Sequence, residues 1–294
     1  MISVAISTYE RPELVERCLR SVLHGSERPG EIIVVDQSAG DATRRAVDVV
    51  DRGVIRYERQ RPPLASRGRN RAVELTTGEY VAIVDDDCEV PPNWISAVRA
   101  ELDRHRDPDV LFGAVRHPAG VPDPKEIFAS IFTPDRVQEW SFPADPARLG
   151  FSAHMIVRRS SFLAVGGFDE RLGPGSITYA AQDMDLNYRL LKVGCRVVTT
   201  PAIWVVHHQW RDQAELTRHY FRQHHGQAAF FAKHLRQGDR YPWRLFLRQV
   251  LLDGKLVGSA LRRRSLTKAK AACSGFIGGW IGLIRGWRIF RETE

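Results

Sequence analysis

Tyr80-Val-Ala-Ile-Val-Asp-Asp-Asp-Cys88 decides how the rest of this 294-residue chain is read. Val81 to Val84 form a short apolar run with the length and composition of a buried strand. The run stops at three consecutive carboxylates, Asp85, Asp86 and Asp87. Charges packed this closely repel one another unless a cation or several hydrogen-bond donors share them. Side chains alternate along an extended segment, which predicts Asp85 and Asp87 on one face, about 7 Å apart at their Cα atoms. Two hard oxygen donors at the carboxyl end of a buried strand suit Mg²⁺ or Mn²⁺ carrying a phosphate. The competing reading is a solvated acidic turn that caps the next helix.

Upstream, Ile2 to Ser7 reads as a buried strand and Thr8-Tyr-Glu-Arg-Pro12 as a turn into a helix. Pro12 suits the first helical turn, and Leu14, Val15, Cys18, Leu19 and Val22 give that helix an apolar face. Glu31 to Asp36 is a second strand ending in a carboxylate. A helix over Asp41 to Val50, a strand over Val54 to Tyr57 and a helix over Leu64 to Thr76 lead back to Tyr80. Strands alternating with helices at this spacing predict an α/β fold, a parallel sheet with helices on both faces. Ligands of such sheets bind outside the carboxyl ends of the strands, where Thr8, Asp36 and Asp85 to Asp87 all fall. No GxGxxG follows the first strand and no GxxxxGK[ST] occurs, which counts against a dinucleotide-binding dehydrogenase and a P-loop NTPase.

Downstream, a helix is expected from Pro91 to about Arg104, then strands at Val110 to Val115 and Met155 to Arg159. Residues 117–150 are rich in proline and read as an irregular functional loop. Leu172-Gly-Pro-Gly175 reads as a flexible loop. Gln182 to Leu191 is predicted as a helix with Leu186, Leu190 and Leu191 toward the core. Arg196 to Val206 reads as two short strands around Pro201, closing on His207-His208.

The assembled pattern resembles the family 2 glycosyltransferases of the GT-A fold. The likeness covers roughly residues 1–210. It is carried by Ser7-Thr-Tyr-Glu-Arg-Pro12, Val34-Val-Asp36-Gln-Ser38, Gly68-Arg-Asn-Arg-Ala72, Val84-Asp-Asp-Asp87, Arg158-Arg-Ser-Ser-Phe162, Gly166-Gly-Phe-Asp169 and Gln182-Asp-Met-Asp-Leu186. The resemblance implies a Rossmann-like, mostly parallel mixed sheet sandwiched by helices, binding a UDP- or dTDP-sugar donor. It implies that Thr8 and Tyr9 flank the nucleobase, with Glu10 and Arg11 in the same nucleotide-binding turn. Asp36 would accept a hydrogen bond from the uracil imide, Arg69 would lie beside the nucleotide and Asp85 would approach the ribose. Asp87 would bind the Mn²⁺ or Mg²⁺ bridging the diphosphate, with Asp85 and His207 as further candidate ligands; His207 reads equally as a half-buried structural histidine. Asp86 is counted with the nucleotide-binding residues and is expected at the sheet edge or at a helix N-terminus.

The family's catalytic base lies in a Glu-Asp pair, and Asp183 matches that Asp. One carboxylate is needed to take the acceptor hydroxyl's proton as it attacks the anomeric carbon, inverting it. Gln182 stands where the family has Glu, and Asp185 is the second candidate base. The Asn expected before Arg158-Arg159 is replaced by Ser152-Ala-His154, a departure on the acceptor side.

Hydrophobic content of 43% and charged content of 27% are those of a globular protein with an ample core. Four scattered cysteines fit a reducing cytoplasm, and with no charged-then-apolar signal ahead of Ile2 secretion is not expected. The net charge is +8, and the basic excess is concentrated in residues 211–291, which read as basic amphipathic helices. The expected organisation is a catalytic domain over 1–210 and a helical extension over 211–294. The extension suits peripheral contact with an anionic membrane at the inner face of the cell membrane, or pairing of two subunits as a homodimer. Membrane contact would favour a lipid-linked acceptor over a free saccharide. Two other classes compete. A sugar-1-phosphate nucleotidyltransferase would carry a Gly-rich, Lys-containing loop after the first strand, which is lacking here. A nucleic-acid-binding protein would carry an RRM, helix-turn-helix or zinc pattern, and none occurs, so no nucleic-acid partner is expected. A catalytically dead sugar-nucleotide-binding relative is the reading that Gln182 keeps open.

Overall fold

In the computed structural model of the chain, residues 1–51, 53–119, 126–128, 131–212, 215–262 and 266–291 are described. Parts of the proline-rich 117–150 segment, Pro122 and Pro124 among them, lie outside the described residues.

The order of elements begins β1 (Ile2–Thr8), α1 (Pro12–Leu23), β2 (Glu31–Asp36), α2 (Ala42–Val50), β3 (Ile55–Arg59), α3 (Ala65–Leu75) and β4 (Tyr80–Val84). It continues with β5 (Cys88–Glu89), α4 (Trp94–Arg104), β6 (Val110–Arg116), β7 (Glu126–Phe128), β8 (Gln138–Trp140), β9 (His154–Arg158) and α5 (Arg159–Ala164). It ends with α6 (Gln182–Lys192), β10 (Val197–His207), β11 (Trp210–Asp212), α7 (Leu216–Arg236), α8 (Tyr241–Arg262) and α9 (Leu266–Ile289).

The main sheet runs β3-β2-β1-β4-β9-β6-β10-β5, with β8 paired to β10. The β1–β2, β2–β3, β1–β4 and β6–β10 pairs are parallel. Strand β9 enters antiparallel between β4 and β6 and makes the sheet mixed. Val4, Ile6, Ile32, Val34 and Val84 face one apolar layer, and Ala5, Ile33, Val35, Val81 and Ile83 the other. Burial on both faces explains why these strands read as continuous apolar runs rather than alternating ones. The helices supply the cover: Val15, Cys18, Leu19 and Val22 of α1 on one side, Ala72 and Val73 of α3 with Leu186, Leu190 and Leu191 of α6 on the other.

The two short strands expected around Pro201 are one strand, β10, whose register against β6 shifts between Thr199 and Trp204. Proline has no N–H to give a ladder, so an irregularity there accommodates it without ending the strand.

The chain divides into two compact units. One comprises Met1–Val121, Phe128–Asp169 and Leu186–Trp210; the other comprises Pro122–Ile127, Glu170–Asp185 and Arg211–Glu294. In the second unit α9 lies close along α7. A Cβ on Gly278 would stand 2.5 Å from the Phe221 carbonyl oxygen and one on Gly286 2.6 Å from Ala229 Cα, with Gly282 equally tight against His225. The glycine-rich character of α9 is therefore a packing face. Among the described residues no helix is long and apolar enough to cross a membrane.

Candidate functional site

The chain leaves β1 for β2 and β3 on one side and returns to place β4 on the other, so β1 and β4 flank the point where the strand order reverses. Crevices at such points are where open α/β sheets bind ligands. Ile2 lies opposite Tyr80 and Ala5 opposite Ile83, a register that delivers Thr8 and the three aspartates to the same edge.

The aspartates do not continue the extended strand. The Cys88 amide donates to the Asp85 carbonyl at 3.1 Å, residues 86 and 87 form a turn, and the carboxylates fan apart. The expectation that Asp85 and Asp87 share a face is thereby corrected. Asp85 accepts from Arg69 Nη2 at 2.5 Å. Arg69 reaches it because Gly68, whose absent Cβ would collide with Ser7, lets α3 lie directly on β1. Asp86 turns inward, where Oδ2 accepts from the Thr8 hydroxyl at 2.7 Å and Oδ1 from Arg11 Nη1 at 3.2 Å. Burial pushes the Asp86 pKa up to about 6, with Arg11 pulling the other way and Asp87 adding to the rise. Asp87 Oδ2 accepts from the same Arg11 nitrogen at 3.1 Å, and its Oδ1 stands 2.9 Å from His207 Nε2. Burial alone would raise the Asp87 pKa, but His207 and Arg11 outweigh it and hold the group below its ordinary value.

His207 arrives there because the end of β10 pairs antiparallel with β5, His207 opposite Cys88. Asp87, Cys88 and His207 are buried and offer ligand atoms within 4.8 Å of one another. Burial and the neighbouring aspartates push the Cys88 thiol well above its ordinary pKa, so it stays protonated and a poor ligand. The useful pair is a carboxylate oxygen beside an imidazole nitrogen. That mixed set fits a divalent ion such as Mn²⁺ better than Mg²⁺, which asks for near-complete oxygen ligation. Asp85, engaged by Arg69, is not grouped with these ligands.

Farther along the edge, Asp36 is fully buried. Its Oδ1 accepts from the Ser38 amide at 2.8 Å and its Oδ2 from the Tyr57 hydroxyl at 2.6 Å. Glu10 adopts a left-handed φ of 54°, its amide donates to Ser38 Oγ at 2.8 Å and its carboxylate accepts from the Ala39 amide at 2.6 Å. Tyr9, between Thr8 and Glu10, is half exposed. Thr8, Glu10, Arg11, Asp36, Arg69, Asp85, Asp86, Asp87 and His207 are thus linked along the carboxyl ends of β1, β2 and β4. His154 is not a surface contact of any kind: it is fully buried, accepting from Trp94 Nε1 at 2.9 Å.

Sequence reasoning missed two partners here. Tyr57 is one. The other is Asn70, whose side chain accepts from the Phe168 amide at 2.8 Å and donates to the Phe168 carbonyl at 2.9 Å. That double bond joins the Gly-Arg-Asn-Arg-Ala and Gly-Gly-Phe-Asp motifs into one structural unit. An asparagine inside a helix motif, where it is a poor helix former, is the signal that could have found it.

In the second unit, Gln182 and Asp183 open α6, and Gln182 Nε2 donates to Asp183 Oδ2 at 2.8 Å. Asp183 is partly exposed, while Asp185 is fully buried and accepts on one oxygen from Lys233 Nζ at 2.7 Å and His234 Nε2 at 2.9 Å. The loop before them, expected to be flexible around Gly173 to Gly175, is closed by its own bonds: Thr178 Oγ1 to the Arg171 carbonyl and Ser176 Oγ to the Gly173 carbonyl, both 2.7 Å.

A family model described as "Glycosyl transferase family 2" matches residues 3–163. The N-acetylglucosaminyl-diphospho-decaprenol L-rhamnosyltransferase of Mycobacterium tuberculosis is 26% identical over 313 residues, covering 92% of this chain and 97% of its own. Among solved structures, S. aureus TarS 1-349 in complex with UDP-GlcNAc superposes with a TM-score of 0.56 at 16% identity, covering 95% of this chain and 90% of that one. GalNAc-T7 with UDP, GalNAc and Mn²⁺ gives a TM-score of 0.52 at 18% identity over 70% of this chain and 43% of that one. At these identities the two structures speak to the fold, which is theirs.

Proposed function

The chain belongs to glycosyl transferase family 2, and from that premise we propose that it moves a sugar from a UDP- or dTDP-sugar to an acceptor hydroxyl, inverting the anomeric carbon. The observation that carries the reading is the joined edge at β1 and β4, where Thr8, Arg11, Arg69, Asp85 to Asp87 and His207 meet. Arg11 and Arg69 are fixed cations suited to phosphate oxygens. Asp36 accepts from the pyrimidine imide, and Asp85 serves the ribose. Asp87 and His207 would hold Mn²⁺, which when bound neutralises the diphosphate that leaves.

Asp183 acts as the general base. The acceptor oxygen forms the new bond to the anomeric carbon, the bond from that carbon to the diphosphate oxygen breaks, and the nucleoside diphosphate keeps the electron pair. The acceptor proton passes to Asp183. Gln182, donating to Asp183, supports its ionised form, since a hydrogen bond to the anion favours the anion.

A lipid-linked acceptor is favoured over a free saccharide. The mycobacterial relative carries a diphospho-decaprenol acceptor in its name, and α8 and α9 here carry eight Lys or Arg against one acidic residue, Asp253. We extend the proposal to peripheral contact with an anionic membrane at its cytoplasmic face.

A thermal-shift screen of UDP, dTDP, GDP and CDP, each with Mn²⁺ or with EDTA, tests the donor side. A ligand that binds only the folded state raises the melting temperature by an amount set by its concentration over Kd. A Mn²⁺-dependent shift with UDP or dTDP that vanishes in Asp87→Ala is expected. No shift with any nucleotide would sink the reading.

A further inference from the structure

We propose that Lys233 and His234 of α7 are positioning residues that set the place of Asp183 through Asp185, an assignment that rests on Asp183 being the base. It reassigns Asp185 from candidate base to anchor. All three residues are almost completely buried, and Lys233 Nζ and His234 Nε2 address the same carboxylate oxygen, at 2.7 and 2.9 Å. Taking these groups out of water is costly, and an apolar trio of like volume would hold two elements together at least as well. What a charged, directional cluster adds is a single permitted register of α7 against the first turn of α6.

A second observation lies on the other side of Asp183. Tyr179 and Ala181 have φ values of 68° and 75°, in the left-handed region that non-glycine residues avoid. Such conformations persist only where the surroundings over-determine them, and they collect at functional sites. The surroundings here are again α7. Gly226 presses so closely on Ala180 that a Cβ would stand 2.7 Å from its carbonyl carbon, and His225 Nδ1 is 3.4 Å from the Thr178 carbonyl oxygen. One helix therefore grips the chain at residues 178–180 and again at residue 185, and Gln182-Asp183 is the short span between the grips. Asp183 is left as the partly exposed carboxylate of the span. On this assignment α7 is part of the catalytic apparatus, and the helical segment is more than a tether.

Full-length Lys233→Met, Asp185→Asn, Lys233→Arg and Asp183→Asn would be compared by amide hydrogen exchange and by nucleoside diphosphate release. The probes are UDP-N-acetylglucosamine and dTDP-L-rhamnose with an N-acetylglucosaminyl-diphospho-polyprenol acceptor. In Lys233→Met, protection over residues 178–185 is expected to fall at least tenfold while residues 2–8 and 80–88 keep theirs. Turnover should drop about tenfold to a hundredfold with the Mn²⁺-dependent nucleotide Kd unchanged, as misplacement by an ångström does. Lys233→Arg should recover most of both. Unchanged protection and turnover in a folded Lys233→Met overturn the proposal; if that variant does not fold, unchanged protection and turnover in the nearly isosteric Asp185→Asn overturn it instead. A lower melting temperature with unaltered turnover per folded molecule also overturns it. Full turnover in Asp183→Asn would remove the base and this assignment together. A dead Asp183→Asn beside fully active Lys233→Met and Asp185→Asn would remove the positioning role alone. Should the parent turn over neither donor, the functional reading is what falls, and exchange over 178–185 still decides the anchor.

Discussion

Asp36 is held by more than its place at the end of β2. Its Oδ2 accepts from Tyr57 at 2.6 Å, and burial together with Asp36 pushes the tyrosine pKa up to about 12, so Tyr57 remains a donor at any working pH. With Ser38 on the other oxygen, the carboxylate is oriented and still has acceptor capacity for a base N–H. Tyr57→Phe leaves one oxygen of a buried carboxylate short of a donor, at a cost of about 1–3 kcal/mol. The expected outcome is a Kd for UDP weakened about fivefold or more with the fold intact, read by titration calorimetry. An unchanged Kd would detach Asp36 from the nucleobase. At this scale the sequence announced acceptors better than the partners that orient them. Asp36 and Asp85 to Asp87 stand out because carboxylates end apolar runs. Tyr57 is an ordinary strand aromatic, and Lys233 and His234 lie 48 and 49 residues from Asp185, beyond any local pattern. The turn at Asp85 to Asp87 was also hidden, since Arg69 draws Asp85, Thr8 draws Asp86 and His207 draws Asp87, with Arg11 bridging the last two.

Elements were legible wherever one periodicity governed them. The β1 to β4 alternation, α1 and α6 follow from apolar spacing alone. Strand β10 was split by its proline because a register shift belongs to the pairing with β6 and is invisible in one strand. Strand β9 carries a residue that sequence left as a bare departure from the family, His154. Its ring accepts from Trp94 Nε1 at 2.9 Å and, through Nδ1, donates to the Ala114 carbonyl at 3.1 Å, a pairing that only the neutral ring can make. Burial accordingly pushes its pKa down to about 4. The unfolded ring titrates near 6.5. Between those values the unfolded state binds the extra proton, so this group's contribution is complete above about pH 6.5 and is lost as pH falls toward 4. Denaturant midpoints measured from pH 7.5 to 4.5 should fall more steeply for the parent than for His154→Gln. Parallel slopes would mean that the buried ring is not held neutral.

The molecule as a whole joins a glycosyltransferase fold to helices with an unusual surface. On α9 the face of Gly278, Gly282 and Gly286 is spent on α7, while Trp243, Leu247 and Leu251 of α8 and Trp280, Ile284 and Trp287 of α9 are exposed among basic residues. Large exposed apolar side chains in such a setting mark a surface that meets something else. No described helix can span a bilayer, so contact would be in the plane of the interface, with indoles at the headgroup level and Lys or Arg on anionic lipid. Flotation with phosphatidylglycerol vesicles at 0.15 M salt should carry the protein upward. Phosphatidylcholine vesicles should not, and 1 M salt should release much of the bound fraction, because screening shortens the reach of the charges to about 3 Å. Leu251→Ser with Ile284→Ser should weaken binding without moving the melting temperature much, since these two side chains are the most exposed of the set, at 67% and 55%. If neither lipid binds and the particle sediments as two copies, the same apolar face pairs subunits, and the acceptor must be sought among soluble saccharides.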